Sequence, residues 1–247
     1  MNTINQTATL KGAKQINANR QAATSVPSTR KIAIAAGVLY VLTFVSIPTL
    51  ALYGPVHDAN YILGAGPDTA IIIGGILEII VALAGIGTAV VLFPVLKKQN
   101  EGFALGLVAS RILESGTIFV GVAFILTIVT LRQTGAGADA LIPSHVLVAL
   151  YDRIFLLGQS FMPAICDLLL GFLLYRSRLM PRTLSLIGII GGPVLLVGYL
   201  AVMFGLIGQH APLAGLSALL VALFEFSLGV WLVVKGFNPS AIASESQ

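Results

Sequence analysis

The chain has 247 residues but only 24 charged side chains, 14 of them Lys or Arg and 10 of them Asp or Glu. Charged residues make up 10% and hydrophobic residues 57%, with a mean hydropathy of +0.96, whereas about 25% of a soluble domain is charged. This composition excludes a soluble globular domain, a disordered chain and a collagen-like fold. A disulfide scaffold is also excluded, because Cys166 is the only cysteine. The composition predicts an all-α, polytopic bundle of transmembrane helices.

Six apolar segments are each long enough to span a bilayer, which takes about 20 residues. They run over Ile32–Leu52, Ala70–Leu96, Gly102–Leu131, Ser144–Tyr175, Thr183–Ile207 and Leu213–Val234. The period-2 alternation of a transmembrane β-barrel is absent. The first segment has an alternative reading as a cleaved signal peptide, which would leave five spans and a translocated N-terminus. Its apolar run is longer than the apolar region of an ordinary signal peptide, and 31 residues precede it.

Lys and Arg residues outside the spans predict the orientation, because cytoplasmic loops carry an excess of them. Eleven flank the spans on one side, whereas Arg132 stands alone on the other. We therefore expect both termini in the cytoplasm. Residues 1–29 are predicted to form a disordered basic tail, residues 30–236 the six-span domain and residues 237–247 a short C-terminal tail.

Seven ionisable side chains lie inside the predicted spans, where each costs about 2.5–3.5 kcal/mol at a helix centre. With one glutamine they form a candidate intramembrane polar network. Its members are Glu78, Arg111, Glu114, Asp152, Arg153, Gln159, Asp167 and Glu225. Their cost predicts that they face the interior of the bundle, water or one another. At about 1.5 Å per residue, Glu114 and Glu225 are expected near the midplane.

The helical spacing also predicts partners for one arginine. Arg111 and Glu114 are three residues apart and share a helix face, so they are expected to pair. Arg111 is equally placed to reach Asp167 or Glu225 on a neighbouring span. Arg111 and Asp167 lie in the cytoplasmic half.

In the fourth span, a polar stripe is expected to run from Asp152 through Gln159 to Asp167, with Pro163 on the same face. Arg153 points about 100° away from this stripe. We therefore expect it to face a different neighbour, such as Glu78, in the outer half of the membrane.

Five carboxyl groups but only two guanidinium groups lie in the spans, so three acids lack a cation there. A carboxyl group buried without a cation favours its protonated form or a hydrated cavity. Proton relays and cation pathways need such groups, which favours small-solute or proton-coupled transport. The alternative is a membrane sensor or scaffold without transport, in which the same charges only fix helix packing. A membrane enzyme that uses Glu114 or Asp152 as acid or base has no positive support.

Common enzyme and cofactor motifs are absent, among them the phosphate-binding loop, His-Glu-x-x-His and Cys-x-x-Cys. His57, His145 and His210 all lie on the predicted outer side but lack helical ligand spacing. Acidic residues also lie there: Asp58, Asp68 and Asp139. We expect no cofactor and no metal.

The expected partners are the lipid bilayer and a small solute or proton. Since the basic residues mark topology, no nucleic acid is expected. Gly102-x-x-x-Gly106 and Gly188-x-x-x-Gly192 permit close helix approach. That approach is either within the chain or between the protomers of a homo-oligomer.

Four stretches carry a family resemblance. They are Arg30-Lys-Ile-Ala33 with Gly37-Val-Leu-Tyr40, Arg111-Ile-Leu-Glu114, Leu174-Tyr-Arg-Ser-Arg-Leu-Met-Pro-Arg182 and Phe224-Glu-Phe-Ser-Leu-Gly-Val-Trp-Leu-Val-Val-Lys-Gly236. In this order the chain resembles the bacterial membrane-protein family known as domain of unknown function 4386. It departs from the family pattern at Leu184-Ser185, where Leu-Gly is usual. The resemblance implies a six-helix integral protein, here expected in the bacterial cytoplasmic membrane, and it implies no activity.

Overall fold

The structure is a computed structural model that describes residues 29–244, and every regular element in that range is helical. Six helices are long and apolar enough to cross a membrane, which confirms the predicted all-α, six-span fold. They are α1 Thr29–Leu52, α2 Thr69–Leu96, α3 Glu101–Gln133, α4 Gly137–Ser177, α5 Arg182–Met203 and α6 Pro212–Val234. A short helix, α7 Pro239–Ser244, follows. Residues 1–28 of the predicted disordered tail lie outside the described residues.

Helices that follow one another in the chain pack side by side, and α1 closes the bundle against α6. The closure depends on two glycines, because a Cβ at Gly37 would lie 2.6 Å from the carbonyl oxygen of Gly229. Gly188 and Gly192 work in the same way inside the chain. A Cβ at Gly188 would lie 2.7 Å from the Phe224 ring of α6, and one at Gly192 2.7 Å from the carbonyl oxygen of Ala164 in α4. Association between protomers stays a prediction.

The largest apolar core lies at the end of the bundle where the chain carries most of its Lys and Arg. Among its buried side chains are Leu92, Leu96, Leu107, Leu170, Leu174, Phe224, Leu228 and Leu232. Phe237 and Ala241 also belong to this core, so the segment after α6 is a packed helix as well as a chain end. Arg30 Nη2 donates to the carbonyl oxygen of Val233 at 2.7 Å, which joins the start of α1 to the end of α6.

Local hydrogen bonds explain where α3 begins and where α5 ends. Asn100 Oδ1 accepts from the backbone N–H of Phe103 at 2.9 Å and begins α3. The predicted fifth span reached Ile207, but α5 ends at Met203. Gly205 has a φ of +71°, and its N–H and that of Leu206 donate back to carbonyl groups in the last turn. This is a Schellman termination, which takes a glycine readily and stops the helix.

Helix α4 contains a π turn at Leu156–Phe161, immediately before Pro163. Proline has no backbone N–H, so the regular hydrogen-bond ladder cannot continue through it. At this turn α4 approaches α3 closely, since a Cβ at Gly158 would lie 1.9 Å from Thr117 Oγ1 and 2.7 Å from Thr117 Cβ. The π turn therefore depends on a glycine facing Thr117.

At the opposite end from the large core, the loop between α1 and α2 is tied to α3. Arg132 Nη1 donates to Asp68 Oδ1 at 2.7 Å, and its guanidinium lies 4.4 Å from the centre of the Tyr61 ring. Partial burial alone would raise the pKa of Asp68. The hydrogen bonds from Tyr61 and Gln133 and the charge of Arg132 instead hold that pKa below its usual value. Arg132 thus has a specific partner in this loop.

We expect Gly158→Ala to lower the melting temperature in detergent by about 3–10 °C. The added methyl group overpacks the contact with Thr117, which typically costs about 1–3 kcal/mol. Gly116→Ala is the matched control, because a Cβ there meets nothing within 4 Å. Equal melting temperatures for the two variants would contradict the close α3–α4 approach.

Candidate functional site

Four charged side chains from three helices meet in what we name the acid–arginine cluster: Arg111, Glu114, Asp167 and Glu225. Arg111 Nη1 donates to both carboxylate oxygens of Glu114, at 3.2 and 3.0 Å, within α3. Arg111 Nη2 donates to Glu225 Oε1 of α6. The same nitrogen lies 3.9 Å from Asp167 Oδ1 of α4, which is longer than a hydrogen bond. One guanidinium therefore faces three carboxyl groups.

The acid–arginine cluster is shielded from water by its neighbours. Arg111 is 3% exposed and Asp167 is fully buried. The guanidinium carbon of Arg111 lies 5.7 Å from the centre of the Tyr40 ring, so α1 also contributes to this environment. Cys166 Sγ donates to Glu114 Oε2 at 3.6 Å. Charges held this far from water require close partners. Arg111 has them in Glu114 and Glu225, whereas both carboxylate oxygens of Asp167 are buried without a hydrogen bond from the described residues.

Glu78 of α2 is 1% exposed and lies in a separate group, which we name the Glu78 cluster. Its Oε1 accepts from the Tyr151 hydroxyl and from Gln159 Nε2, both at 3.0 Å. Its Oε2 accepts from the Tyr53 hydroxyl at 3.3 Å. These three donors are neutral, so their hydrogen bonds would leave the charge of an ionised Glu78 uncompensated.

Asp152 and Arg153 lie in the outer half of α4, directly after Tyr151, and their side chains bond to residues outside both clusters. Asp152 Oδ1 lies 3.1 Å from His57 Nε2. The hydrogen bond with Asp152 raises the pKa of His57 above its usual value, although partial burial opposes the shift. The expected contact between Arg153 and Glu78 is wrong, because Arg153 Nη2 donates to Gln209 Oε1 at 3.1 Å. Arg153 is exposed, and a long side chain that keeps its guanidinium in water avoids the cost of burying the charge.

A cavity of about 210 Å³, the central cavity, lies against the acid–arginine cluster. Its polar lining includes Arg111, Glu114, Glu225, Gln159, Ser115, Ser160, Thr43, Ser46 and Tyr199. Ser115 also donates to the carbonyl oxygen of Ala82 at 2.8 Å. At roughly 30 Å³ per molecule, the cavity has room for several waters or for a solute of similar size.

A second cavity of about 530 Å³, the outer cavity, lies at the end of the bundle where the histidines are. Its polar lining includes Tyr53, His57, Tyr151, Asp152, Tyr199, Gln209 and His210. Tyr53 and Tyr151 line this cavity and donate to Glu78, while Gln159 lines the central cavity and donates to the same carboxylate. The Glu78 cluster thus has members at both cavities, and Tyr199 lines both of them as well.

The chain was compared with known protein families, curated proteins and solved structures. The model of a family described as a domain of unknown function, DUF4386, matches residues 35–236. The chain belongs to this family. No curated protein and no solved structure gives a significant match. The assignment of this DUF4386 chain confirms the resemblance in the sequence, and with the six apolar helices it gives a multi-pass membrane architecture.

Several polar residues of the interior are not evident from the sequence. Tyr53 and Tyr151 are the clearest cases, because neutral hydroxyl groups give no charge signal within an apolar chain. Tyr53 lies at the end of α1 in a turn that folds its side chain back towards α2. The only available signal was its position in the Tyr53-Gly-Pro55 turn, which marks a break and not a contact.

Replacement of Arg111 by Met is expected to destabilise the protein strongly, lowering the melting temperature in detergent on the order of 10 °C. Removing one partner of a buried ion pair leaves uncompensated charge and costs about 3–5 kcal/mol. Arg176→Met, at an exposed arginine of α4, is the matched control and should change little. A similar effect of the two substitutions would show that Arg111 is not bound as described.

Proposed function

We propose that this protein is a proton-coupled transporter of a small polar solute. In this proposal the solute occupies the central cavity, and protons move between the outer cavity and the acid–arginine cluster by way of Glu78. The observation that carries the proposal is the succession of polar groups between the two cavities. It runs from the Tyr53 and Tyr151 hydroxyls to the Glu78 carboxyl group. Gln159 donates to Glu78 and lines the central cavity, so it positions Glu78 at that cavity without carrying a proton itself. Water in the central cavity would carry the proton on to the acid–arginine cluster.

The charge balance of the acid–arginine cluster supports proton binding. One guanidinium faces three carboxyl groups, so full ionisation would leave a net charge of −2 in a buried site. Burying uncompensated charge is costly, and protonation of a carboxyl group removes that cost. The acid–arginine cluster is therefore expected to bind a proton. It would release that proton when a cationic solute takes its place or when a conformational change alters the cluster.

The two ends of the bundle differ in a way that fits alternating access. The outer cavity lies on the side of His57, Asp152 and His210. Beyond the acid–arginine cluster, the large core with Leu92, Leu107 and Leu170 closes the opposite end with apolar side chains. In our proposal the structure represents an outward-facing or occluded state of the transporter. Transport would then require the large core to open.

We further propose that the protein lies in the bacterial cytoplasmic membrane with both termini inside. The excess of Lys and Arg at one end of the bundle supports this orientation. Arg30 contacts the end of α6, and Asn238 donates to the carbonyl oxygen of Leu179 in the loop between α4 and α5. The basic start of α1, the α4–α5 loop and Lys235 are therefore neighbours at this end.

The second candidate is a membrane protein without transport, a sensor or scaffold. The direct contacts of Arg111 with Glu114 and Glu225 favour it, because such a network also serves to fix the position of α6 relative to α3. The two candidates differ over Glu78, which has neutral partners and would have no need to titrate in a scaffold.

Proton flux in liposomes separates the two candidates. The full chain is reconstituted with a trapped pH-sensitive dye, and a pH gradient is applied with and without a panel of small polar and cationic solutes. We expect the pH inside to relax faster than in protein-free liposomes. Glu78→Gln should lower the protein-dependent rate at least about tenfold, because an amide cannot carry the proton.

Glu101→Gln is the control, since Glu101 is an exposed acid at the start of α3. It should keep the wild-type rate, and both variants should melt near the wild-type temperature. If no condition gives flux above protein-free liposomes, or if Glu78→Gln keeps the full rate, the transport proposal is wrong.

A further inference from the structure

Three side chains from three separate segments converge at the outer cavity: His57, Asp152 and His210, which we name the outer trio. His57 follows α1, Asp152 lies in α4 and His210 precedes α6. One potential ligand atom from each lies within 4.8 Å of the other two. The His57 and His210 rings have centroids 5.8 Å apart with an angle of 76° between their planes. This set of ligands is invisible in the sequence, where the residues are far apart.

The contact between His57 and Asp152 has the spacing of two ligands on one ion. His57 Nε2 and Asp152 Oδ1 lie 3.1 Å apart. Two ligand atoms at about 2.0–2.1 Å from a tetrahedral zinc ion lie about 3.3 Å from each other. A modest rotation of the His210 side chain within the outer cavity would complete three ligands.

The hydrogen bonding of the His57 ring points the same way. Its Nδ1 lies 3.2 Å from the carbonyl oxygen of Tyr53, an acceptor that requires a proton on Nδ1. In the neutral ring, Nε2 then presents its lone pair to the Asp152 carboxylate, and two acceptors would face each other. Either a proton on Nε2, which makes the imidazolium a donor to Asp152, or a metal cation between the two groups removes the conflict. A backbone carbonyl group that accepts from the other ring nitrogen of a ligating histidine is also the usual arrangement at zinc sites.

The loop that carries His210 is anchored beside the same carboxyl group. Gln209 Nε2 donates to the backbone carbonyl oxygen of Asp152 at 2.9 Å, and Gln209 Oε1 accepts from Arg153 Nη2 at 3.1 Å. These bonds hold His210 within reach of its two partners. Arg153, which does not reach Glu78, thus helps to position the outer trio.

We propose that the outer trio binds a divalent transition metal of the Zn²⁺ type. Two imidazole nitrogens and one carboxylate oxygen suit Zn²⁺, and three protein ligands leave a fourth position open towards the outer cavity. That position takes water or a group of an incoming ligand. This site is independent of the proposed transport function, because it needs neither the Glu78 cluster nor the acid–arginine cluster.

The test is a Zn²⁺ titration of the tag-free full chain in detergent after removal of metals with a chelator, followed by competition with a chromogenic chelator. We expect one equivalent to bind. His57→Ala, His210→Ala and Asp152→Asn should each weaken binding at least about tenfold. His145→Ala is the matched control and should bind as wild type, because His145 is not among the converging ligands and its Nε2 lies 2.9 Å from the carbonyl oxygen of Ala59.

Replacement of Zn²⁺ by Co²⁺ gives a second readout that does not depend on affinity. The wild-type and His145→Ala proteins should show the intense visible absorption of four-coordinate Co²⁺, and His210→Ala should lose it. The proposal is wrong if the wild type binds no stoichiometric Zn²⁺, or if His57→Ala and His210→Ala bind as tightly as wild type. It is also wrong if His145→Ala loses binding equally. Melting temperatures without metal check that each variant is folded.

Discussion

Within this bundle, a guanidinium that has lost contact with water has to be neutralised by the helices around it. Arg111 meets that constraint with Glu114 from its own helix, Glu225 from α6 and Asp167 from α4, which is 3.9 Å away. Breaking a buried pair costs several kcal/mol, so these helices cannot shift independently at this level. The position of α3 relative to α4 and α6 therefore depends in part on Arg111. The same side chain also forms part of the polar lining of the central cavity.

The same constraint divides the molecule into two unlike halves. On one side of the acid–arginine cluster, aliphatic side chains such as Leu92 and Leu170 pack densely. On the other side, Glu78 is held by Tyr53, Tyr151 and Gln159 between two cavities. Polar groups in an apolar bundle persist where partners satisfy them, and here the partners form a succession that leads outward. This asymmetry is the physical basis both of the transport proposal and of the proposal that the outer trio binds a metal.

Much of the fold could be predicted from the sequence, because helix length and hydropathy are local properties. The C-terminal ends of five of the six spans lie within two residues of the predicted ones, whereas α5 ends at Met203 instead of Ile207 because Gly205 has a left-handed backbone. The fourth span begins at Gly137, seven residues before the predicted Ser144. The contact of Arg111 with Glu114 follows from their spacing. The predicted contact of Arg153 with Glu78 is wrong because the guanidinium reaches water instead. In addition, the π turn at Leu156–Phe161 changes the helical register, which a prediction from helical spacing takes as constant. The residues of the outer trio, and the two tyrosines that donate to Glu78, lie in loops and in segments far apart in the chain. Hydrophobic periodicity does not predict contacts between such segments.

Arg111 joins α3 to α6 through its contact with Glu225, and a double-mutant cycle measures the strength of that contact. The free energy of unfolding in mixed micelles would be measured for the wild type, Arg111→Met, Glu225→Gln and the double variant. Residues in direct contact within a buried charge network show coupling energies of up to about 3 kcal/mol. The structure predicts a coupling of about 1–3 kcal/mol, with the double variant less destabilised than the sum of the single ones. Additive effects within about 0.5 kcal/mol would contradict it.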